Sequence, residues 1–300
     1  MSIKVRKGQP RRKPKLMFIG EGGIGKTTLG NKFPNPLFIC AENGLIGEEF
    51  DETDNYSPQK WPEMAEIVDD FKSGKLSNEW LVVDTIDWLE PMLQKHVATK
   101  AHQTNFADFE WGKGHILAGI EWRAFLSRLE NLRKEKDVGI IFLSHCEIKT
   151  FNNPAGDNYD RYQAKISKQV SALTREWCDA VLFAKYETYT HKDTPKGKAK
   201  GVGGDTRVLY TTQTAAWDAK NRYGMPDKMA LNYEEIIEAI KSGKPASSEA
   251  LIEEINEVVN GSSAFTDDNK KDIQAAIEKN KKSETALKQI LNKVRVKENS

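Results

Sequence analysis

Eight residues near the N-terminus combine glycines, a lysine and a threonine in a spacing that binds phosphate groups. The run Gly20-Glu21-Gly22-Gly23-Ile24-Gly25-Lys26-Thr27 matches G-x-x-x-x-G-K-[ST]. In this pattern the glycines let backbone N–H groups turn inward around the α- and β-phosphates, the lysine reaches the β- and γ-oxygens, and the threonine hydroxyl binds Mg²⁺. Thr28 then starts a helix, whose N-terminus adds partial positive charge. The sequence therefore predicts an ATP and Mg²⁺ site over residues 20–28.

A carboxylate follows a second apolar run, Trp80-Leu81-Val82-Val83-Asp84. Fully buried parallel strands have this composition, and residues at their carboxyl ends face the ligand crevice. We therefore predict that Asp84 holds Mg²⁺ together with Thr27. The alternative is that Asp84 caps the N-terminus of a helix over 86–95. Asp87 is a weaker competitor for the metal role.

Three further segments end in groups that can act on a phosphoryl transfer. They are the acid Glu42 after the apolar run 36–41, the polar pair Ser144-His145 after the apolar run 138–143, and the cations Lys220 and Arg222 after the strand pattern 206–211. In AAA+ proteins the catalytic acid directly follows the aspartate, and that position is Thr85 in this sequence. The sequence therefore departs from the AAA+ pattern at that position.

The order of these motifs resembles the RecA/RadA recombinase core over about residues 14–230, and the segment 218–224 is similar to the Lys-Asn-Arg-Phe-Gly signature of RadA. The resemblance implies an α/β fold with a mainly parallel central sheet flanked by helices. It also implies that Glu42 polarises the attacking water, that His145 senses the γ-phosphate, and that Lys220 and Arg222 complete the ATP site of a neighbouring subunit. The chain is most similar to compact phage-encoded ATPases of single-strand annealing. It departs from the family in having His145 where RecA has Gln, and in lacking a zinc ribbon and a recognisable N-terminal oligomerisation domain.

Two segments mix aromatic and basic residues where the resemblance places the DNA-binding loops of recombinases. The candidate contacts to single-stranded DNA are Trp111, Lys113, Lys149, Tyr159, Arg161 and Tyr162. The first segment, 100–114, could instead pack as a lid, which is the interpretation we favour for Phe106. The second, 147–168, is predicted to be a long polar loop, and the alternative is a merely solvated loop. Between them, 116–132 is predicted to be a core helix that buries Ile116, Ile120, Phe125, Leu126, Leu129 and Leu132.

Composition is consistent with one α/β domain and an appendage. The net charge is +1, so any affinity for nucleic acid must come from local patches. The three cysteines are expected to be reduced, as in a cytoplasmic protein, and neither a structural zinc nor a membrane segment is expected. We expect a disordered basic arm over 1–14, an ATPase core over 15–245 and short helices over 246–300. A basic, glycine-rich hairpin tip is expected over 191–201.

These features predict an ATPase of phage type, located in the host cytoplasm, that forms homo-oligomers, binds single-stranded DNA and promotes strand annealing. Two alternatives use the same site: a DnaB-like or packaging-type ring motor, and an ATP-gated loader of a replication partner. The sequence gives three candidate partners for the C-terminal helices, namely a single-strand-binding protein, a neighbouring subunit and DNA.

Overall fold

The fold is taken from a computed structural model of the chain, which describes residues 12–42, 44–191, 200–242, 248–262, 264–281, 283, 286–287, 289–291 and 293–294. Most of the expected basic arm and of the expected hairpin tip lies outside these residues. Contacts divide the chain into two compact units, 1–237 and 238–300. The division falls before the boundary expected at 245.

One sheet forms the centre of the first unit. Its strands run β3-β2-β4-β5-β1-β7-β8-β10 across the sheet, with β6 paired to β5 and β9 paired to β7. The strands are β1 (Lys15–Gly20), β2 (Pro36–Cys40), β3 (Asp54–Tyr56), β4 (Trp80–Asp84), β5 (Gly139–Phe151), β6 (Tyr159–Ala164), β7 (Ala180–His191), β8 (Lys200–Tyr210), β9 (Lys220–Asn221) and β10 (Lys228–Ala230). The run from β3 to β7 is parallel, whereas β8 and β10 are antiparallel additions at one side.

The parallel strands carry continuous apolar runs because helices cover both faces of the sheet. Every residue of β1 and of β4 is buried. Strand β5 lies between β1 and β4, with Gly20 in register with His145. The carboxyl ends of β1, β2, β4 and the parallel part of β5 therefore meet at one edge of the sheet, where the loop 20–28, Glu42, Asp84 and His145 lie.

The helices of the first unit connect these strands and cover the sheet. They are α1 (Lys26–Asn31), α2 (Glu63–Ser73), α3 (Ile86–Lys100), α4 (Lys113–Lys136), α5 (Lys168–Trp177) and α6 (Tyr233–Ser242), the last of which crosses into the second unit. In α4, Trp122 is fully buried and its Nε1 donates a hydrogen bond to Thr174 Oγ1 at 2.9 Å. The prediction that Ile116 and Ile120 are core residues is wrong, because they are 55% and 59% exposed.

The segment after His145 is a β-hairpin and not the predicted loop. Strand β5 continues to Phe151, and β6 returns antiparallel to it, with Cys146 opposite Ala164 and Phe151 opposite Tyr159. Its exposed polar residues lie at the far end of β5 and in the turn, whereas Arg161 and Ala164 of β6 are buried. The hairpin therefore extends β5 directly from the site edge.

The second unit contains α7 (Ser248–Gly261) and α8 (Asp267–Asn280). Thr266 caps α8 by accepting a hydrogen bond from Asn269 N. The described apolar side chains form one buried cluster that includes Ile255, Val259, Ile277 and Leu287. Within the described residues of the chain, no helix is long and apolar enough to cross a bilayer.

Candidate ATP site

The loop between β1 and α1 is shaped by glycines that no other residue replaces easily. Gly23 and Gly25 have φ of 76° and 101°, in the left-handed region that disfavours a side chain. A Cβ on Gly20 would lie 2.6 Å from the carbonyl oxygen of Ala184, so β7 and the loop can approach this closely only at a glycine. Glu21 and Gly22 are exposed and Ile24 is fully buried, which anchors the loop below its open face.

Lys26 reaches back across this loop. Its side chain is buried, and Nζ donates hydrogen bonds to the carbonyl oxygens of Gly20 at 3.0 Å and Glu21 at 2.8 Å. Burial lowers the pKa of Lys26, while the charges of Asp84 and Asp87 oppose that effect. A phosphate group is a stronger acceptor than a carbonyl, so the ammonium group can exchange these bonds for contacts to a nucleotide.

Thr27 and Asp84 present two oxygen donors on neighbouring elements. Thr27 Oγ1 donates a hydrogen bond to Asp84 Oδ2 at 2.8 Å, and Asp84 is only 3% exposed. Burial raises the pKa of this carboxyl group, with the Thr27 hydrogen bond acting in the opposite direction. The pair fits Mg²⁺, a hard cation that prefers oxygen ligands. The capping alternative is wrong, because Asp84 bonds to Thr27 and the N-cap of α3 is Thr85.

His145, Asp87 and Glu42 form a cluster beside the loop. The backbone N–H of His145 donates to Asp87 Oδ1 at 2.9 Å, and its Nδ1 lies 2.9 Å from Asp87 Oδ2. Glu42 Oε2 lies 3.9 Å from His145 Nδ1 and 3.5 Å from Thr85 Oγ1. His145 Nε2 faces Gly22, 3.9 Å from where a Cβ on that glycine would be. Ser144 is fully buried and donates to the carbonyl oxygen of His145, so His145 is the member of the pair that faces the site.

Asp87 is the residue whose importance the sequence understates. Burial acts to raise its pKa, but the hydrogen bonds from His145 outweigh burial, and the pKa is lowered. The carboxylate is therefore a fixed acceptor that orients the imidazole. The role of Asp87 could have been inferred from its spacing. A residue three positions after Asp84 lies in the first turn of α3 and can reach the end of the adjacent strand β5.

Arg222 lies at the edge of the sheet formed by the amino ends of the parallel strands, opposite the carboxyl ends that carry the loop. Its Nη1 is 3.5 Å from Asp179 Oδ1, its side chain is 57% exposed, and Asp179 N donates to the carbonyl oxygen of Lys15. Lys15 and Gly20 are the two ends of β1, which span about 16 Å at the usual rise per residue. Arg222 is therefore placed far from the nucleotide loop of its own chain.

The prediction that Lys220 extends into a neighbouring site is wrong in this structure. Its Nζ donates hydrogen bonds to the carbonyl oxygens of Arg175, Glu176 and Cys178 at 2.7, 2.9 and 2.6 Å. These three bonds use every hydrogen of the ammonium group. Lys220 therefore binds the C-terminal end of α5, where cations are favoured by the helix dipole.

Arg161 is likewise not the exposed DNA contact that the sequence predicts. It is 6% exposed, forms an ion pair with the buried Asp218, and lies over the Phe151 ring. Arg175 Nη1 adds a second cation 2.9 Å from Asp218 Oδ2. The three charged side chains tie the β5–β6 hairpin to α5 and to the segment that carries Arg222.

The other candidate DNA contacts are more accessible. Lys149 is exposed and pairs with Glu147, while Tyr159 is half-buried against the Phe151 ring. Tyr162 is half-buried, with its ring 5.2 Å from that of Phe183.

Trp111 and Lys113 lie at the start of α4 and both side chains point into solvent. Trp111 is 97% exposed, with a positive φ of 53°, and Lys113 is also exposed. Phe106 packs against the core, as we expected, with the rings of Phe109 and His115 beside it.

The fold and the site geometry define a class of protein: a P-loop NTPase with a mainly parallel central sheet flanked by helices. A family model described as an AAA domain matches residues 12–223, and the chain belongs to that family. Among solved structures, one described as the crystal structure of the RadB recombinase is similar at 15% identity and a TM-score of 0.39, covering 66% of this chain and 81% of that chain. That similarity is too low to bear on function. No curated protein matches the sequence.

Proposed function

We propose that the chain is an ATPase that hydrolyses ATP at an interface between two of its copies, binds single-stranded DNA and promotes strand annealing. Residues 20–28 would hold the nucleotide phosphates through backbone N–H groups, with Lys26 on the β- and γ-oxygens. Thr27 and Asp84 would hold Mg²⁺, which would neutralise the charge that develops on the phosphate groups. The 2.8 Å contact between their oxygens supports this assignment.

In the proposed mechanism Glu42 orients the attacking water, because its carboxylate is the accessible acid of the cluster. The Glu42 side chain is 34% exposed, whereas the Asp87 side chain is 3% exposed and already accepts two hydrogen bonds from His145. His145 then lies between the acid and the loop, where with both ring nitrogens protonated its Nε2 could donate to a γ-phosphate oxygen while Nδ1 donates to Asp87. A water-positioning group and a donor to the transferring phosphoryl are the two parts that such a reaction requires.

The distance of Arg222 from its own loop supports a role in trans. An exposed guanidinium at the far edge of the sheet cannot neutralise charge in its own site, but a second copy docked edge to edge could present it. Hydrolysis would then require assembly, because the charge on the transferring phosphoryl group is neutralised only when the neighbouring copy is present. Lys220 would position the segment and would not contact the nucleotide.

One observation carries the link to DNA: β5 runs without interruption from His145 beside the loop into the exposed β5–β6 hairpin. A change in the γ-phosphate contacts of His145 would therefore act on a strand that also carries Lys149. Lys149 and Tyr159 are the proposed contacts of this hairpin, with Trp111 and Lys113 as a second group. A switch of this kind requires that the ATP and ADP states differ in DNA affinity.

The test is a titration of labelled oligonucleotide with ATP, ADP or no nucleotide, followed by an annealing assay with complementary strands. Lys149→Ala should weaken binding and reduce the salt dependence by about one counterion or less. Lys75→Ala is the matched control, because Lys75 forms the same kind of exposed ion pair with Asp70, at the same 2.8 Å separation that joins Lys149 to Glu147. Equal DNA affinity in all three nucleotide states, or equal effects of the two variants, would contradict the DNA part of the proposal.

A further inference from the structure

Two residues of β7 and β8 lie against the nucleotide loop and belong to no motif. Tyr186 and Arg207 face each other across the two strands, and the Arg207 guanidinium carbon is 5.9 Å from the centre of the Tyr186 ring. Tyr186 OH donates a hydrogen bond to the carbonyl oxygen of Gly23 at 3.3 Å. Arg207 Nη1 is 2.7 Å from where a Cβ on Gly25 would be. The pair therefore contacts the loop at two of its glycines.

The charge of Arg207 has no partner among the side chains that the structure describes. None of these residues places a carboxylate within ion-pair distance of its guanidinium, and Arg207 is exposed. Glu187, the next acid along β7, forms an ion pair with Lys228. The guanidinium lies beside Gly25, which directly precedes Lys26 in a loop whose N–H groups carry partial positive charge. A cation held among positive groups is favoured electrostatically only when an anion binds there.

We propose that Arg207 is a nucleotide-binding residue that the chain supplies to its own site, and that it contacts the α- and β-phosphates. Gly25 belongs to the part of the loop whose N–H groups surround those phosphates. Tyr186 is a positioning residue, since its hydroxyl is fixed to Gly23 and its ring supports the guanidinium. The inference deepens the proposed ATP site and rests on it.

Arg207 and Arg222 are then expected to act on different ATP sites, because they lie at opposite edges of the sheet. Arg207 lies at the edge of its own loop and acts in cis on phosphates that ATP and ADP share. Arg222 lies at the opposite edge, so it acts only on the site of a neighbour. The two arginines therefore predict different dependences on protein concentration, which an experiment can separate.

Nucleotide binding by the full chain tests the assignment, with a fluorescent ATP or ADP analogue titrated at protein concentrations below and above self-association. Arg207→Ala should weaken both nucleotides about tenfold at every protein concentration, as expected for the loss of one charge-assisted hydrogen bond. Arg207→Lys should recover part of that loss. Tyr186→Phe, which keeps the ring but not the bond to Gly23, should produce a smaller loss. Arg128→Ala is the matched control, because Arg128 is an exposed arginine that pairs with Asp69 on another face.

The outcomes separate this inference from the function on which it rests. Equal binding by wild type and Arg207→Ala, with binding lost in Lys26→Ala, would overturn the role of Arg207 and leave the ATP site intact. A loss in Arg207→Ala that occurs only above the self-association concentration would overturn the cis assignment. A wild-type chain that binds no nucleotide would contradict the proposed function itself, and the inference would fall with it.

Discussion

Replacing Asp87 by alanine should slow ATP hydrolysis through its effect on His145. Asp87 accepts hydrogen bonds from the backbone N–H and, at Oδ2, from the Nδ1 side of His145, both at 2.9 Å, and its side chain is 3% exposed. Solvent therefore does little to screen the pair. One buried hydrogen bond to a charged group contributes about 1.5–3 kcal/mol, so losing the bond that orients the ring should lower turnover by about 10- to 100-fold.

The assay is single-turnover hydrolysis of ATP by Asp87→Ala, His145→Ala and the double variant. Because Asp87 acts through the imidazole, the double variant should be no slower than His145→Ala alone. Nucleotide affinity should change little, since Lys26 and the loop are untouched. Independent, multiplicative effects of the two substitutions would refute the idea that Asp87 works by orienting His145, and a fully active Asp87→Ala would refute a role for the cluster.

Two further predictions concern the acids of the site. Glu42→Gln should retain ATP binding and lose turnover by orders of magnitude, because an amide cannot take a proton from water; normal hydrolysis would show that Glu42 is not the base. Asp84→Asn should lose Mg²⁺-dependent turnover yet, without Mg²⁺, stabilise the fold near neutral pH, because the buried carboxyl group has a raised pKa and costs stability once it ionises. In denaturant unfolding, that gain should shrink as the pH falls below the raised pKa; a gain that is unchanged in acid would contradict the assignment.

The sequence predicts the parallel sheet and the nucleotide loop because local patterns determine both. Strands buried on two faces must be apolar throughout, as β1 and β4 are. The phosphate loop needs glycines at positive φ, which the spacing of Gly23 and Gly25 provides. These features depend on residues that are close together in the chain.

The remaining parts depend on contacts between residues that are distant in sequence. Arg161 is buried by Asp218, and Lys220 is held by carbonyl groups of α5, so neither role follows from its local composition. The β5–β6 hairpin resembles a loop in sequence because its residues are mostly polar, and the one charged side chain that is buried there, Arg161, is held by the distant Asp218. The role of Arg207 also depends on a long-range contact, because only the pairing of β7 with β8 brings it to Gly25.

The central claim is that one copy of the chain completes the ATP site of the next. The most direct measurement is ATP hydrolysis in a mixture of Lys26→Ala, which has an intact Arg222, and Arg222→Ala, which has an intact nucleotide loop. Each variant alone should be nearly inactive, and the mixture should regain activity at interfaces where the two intact edges meet. A mixture as inactive as its two components would contradict the claim.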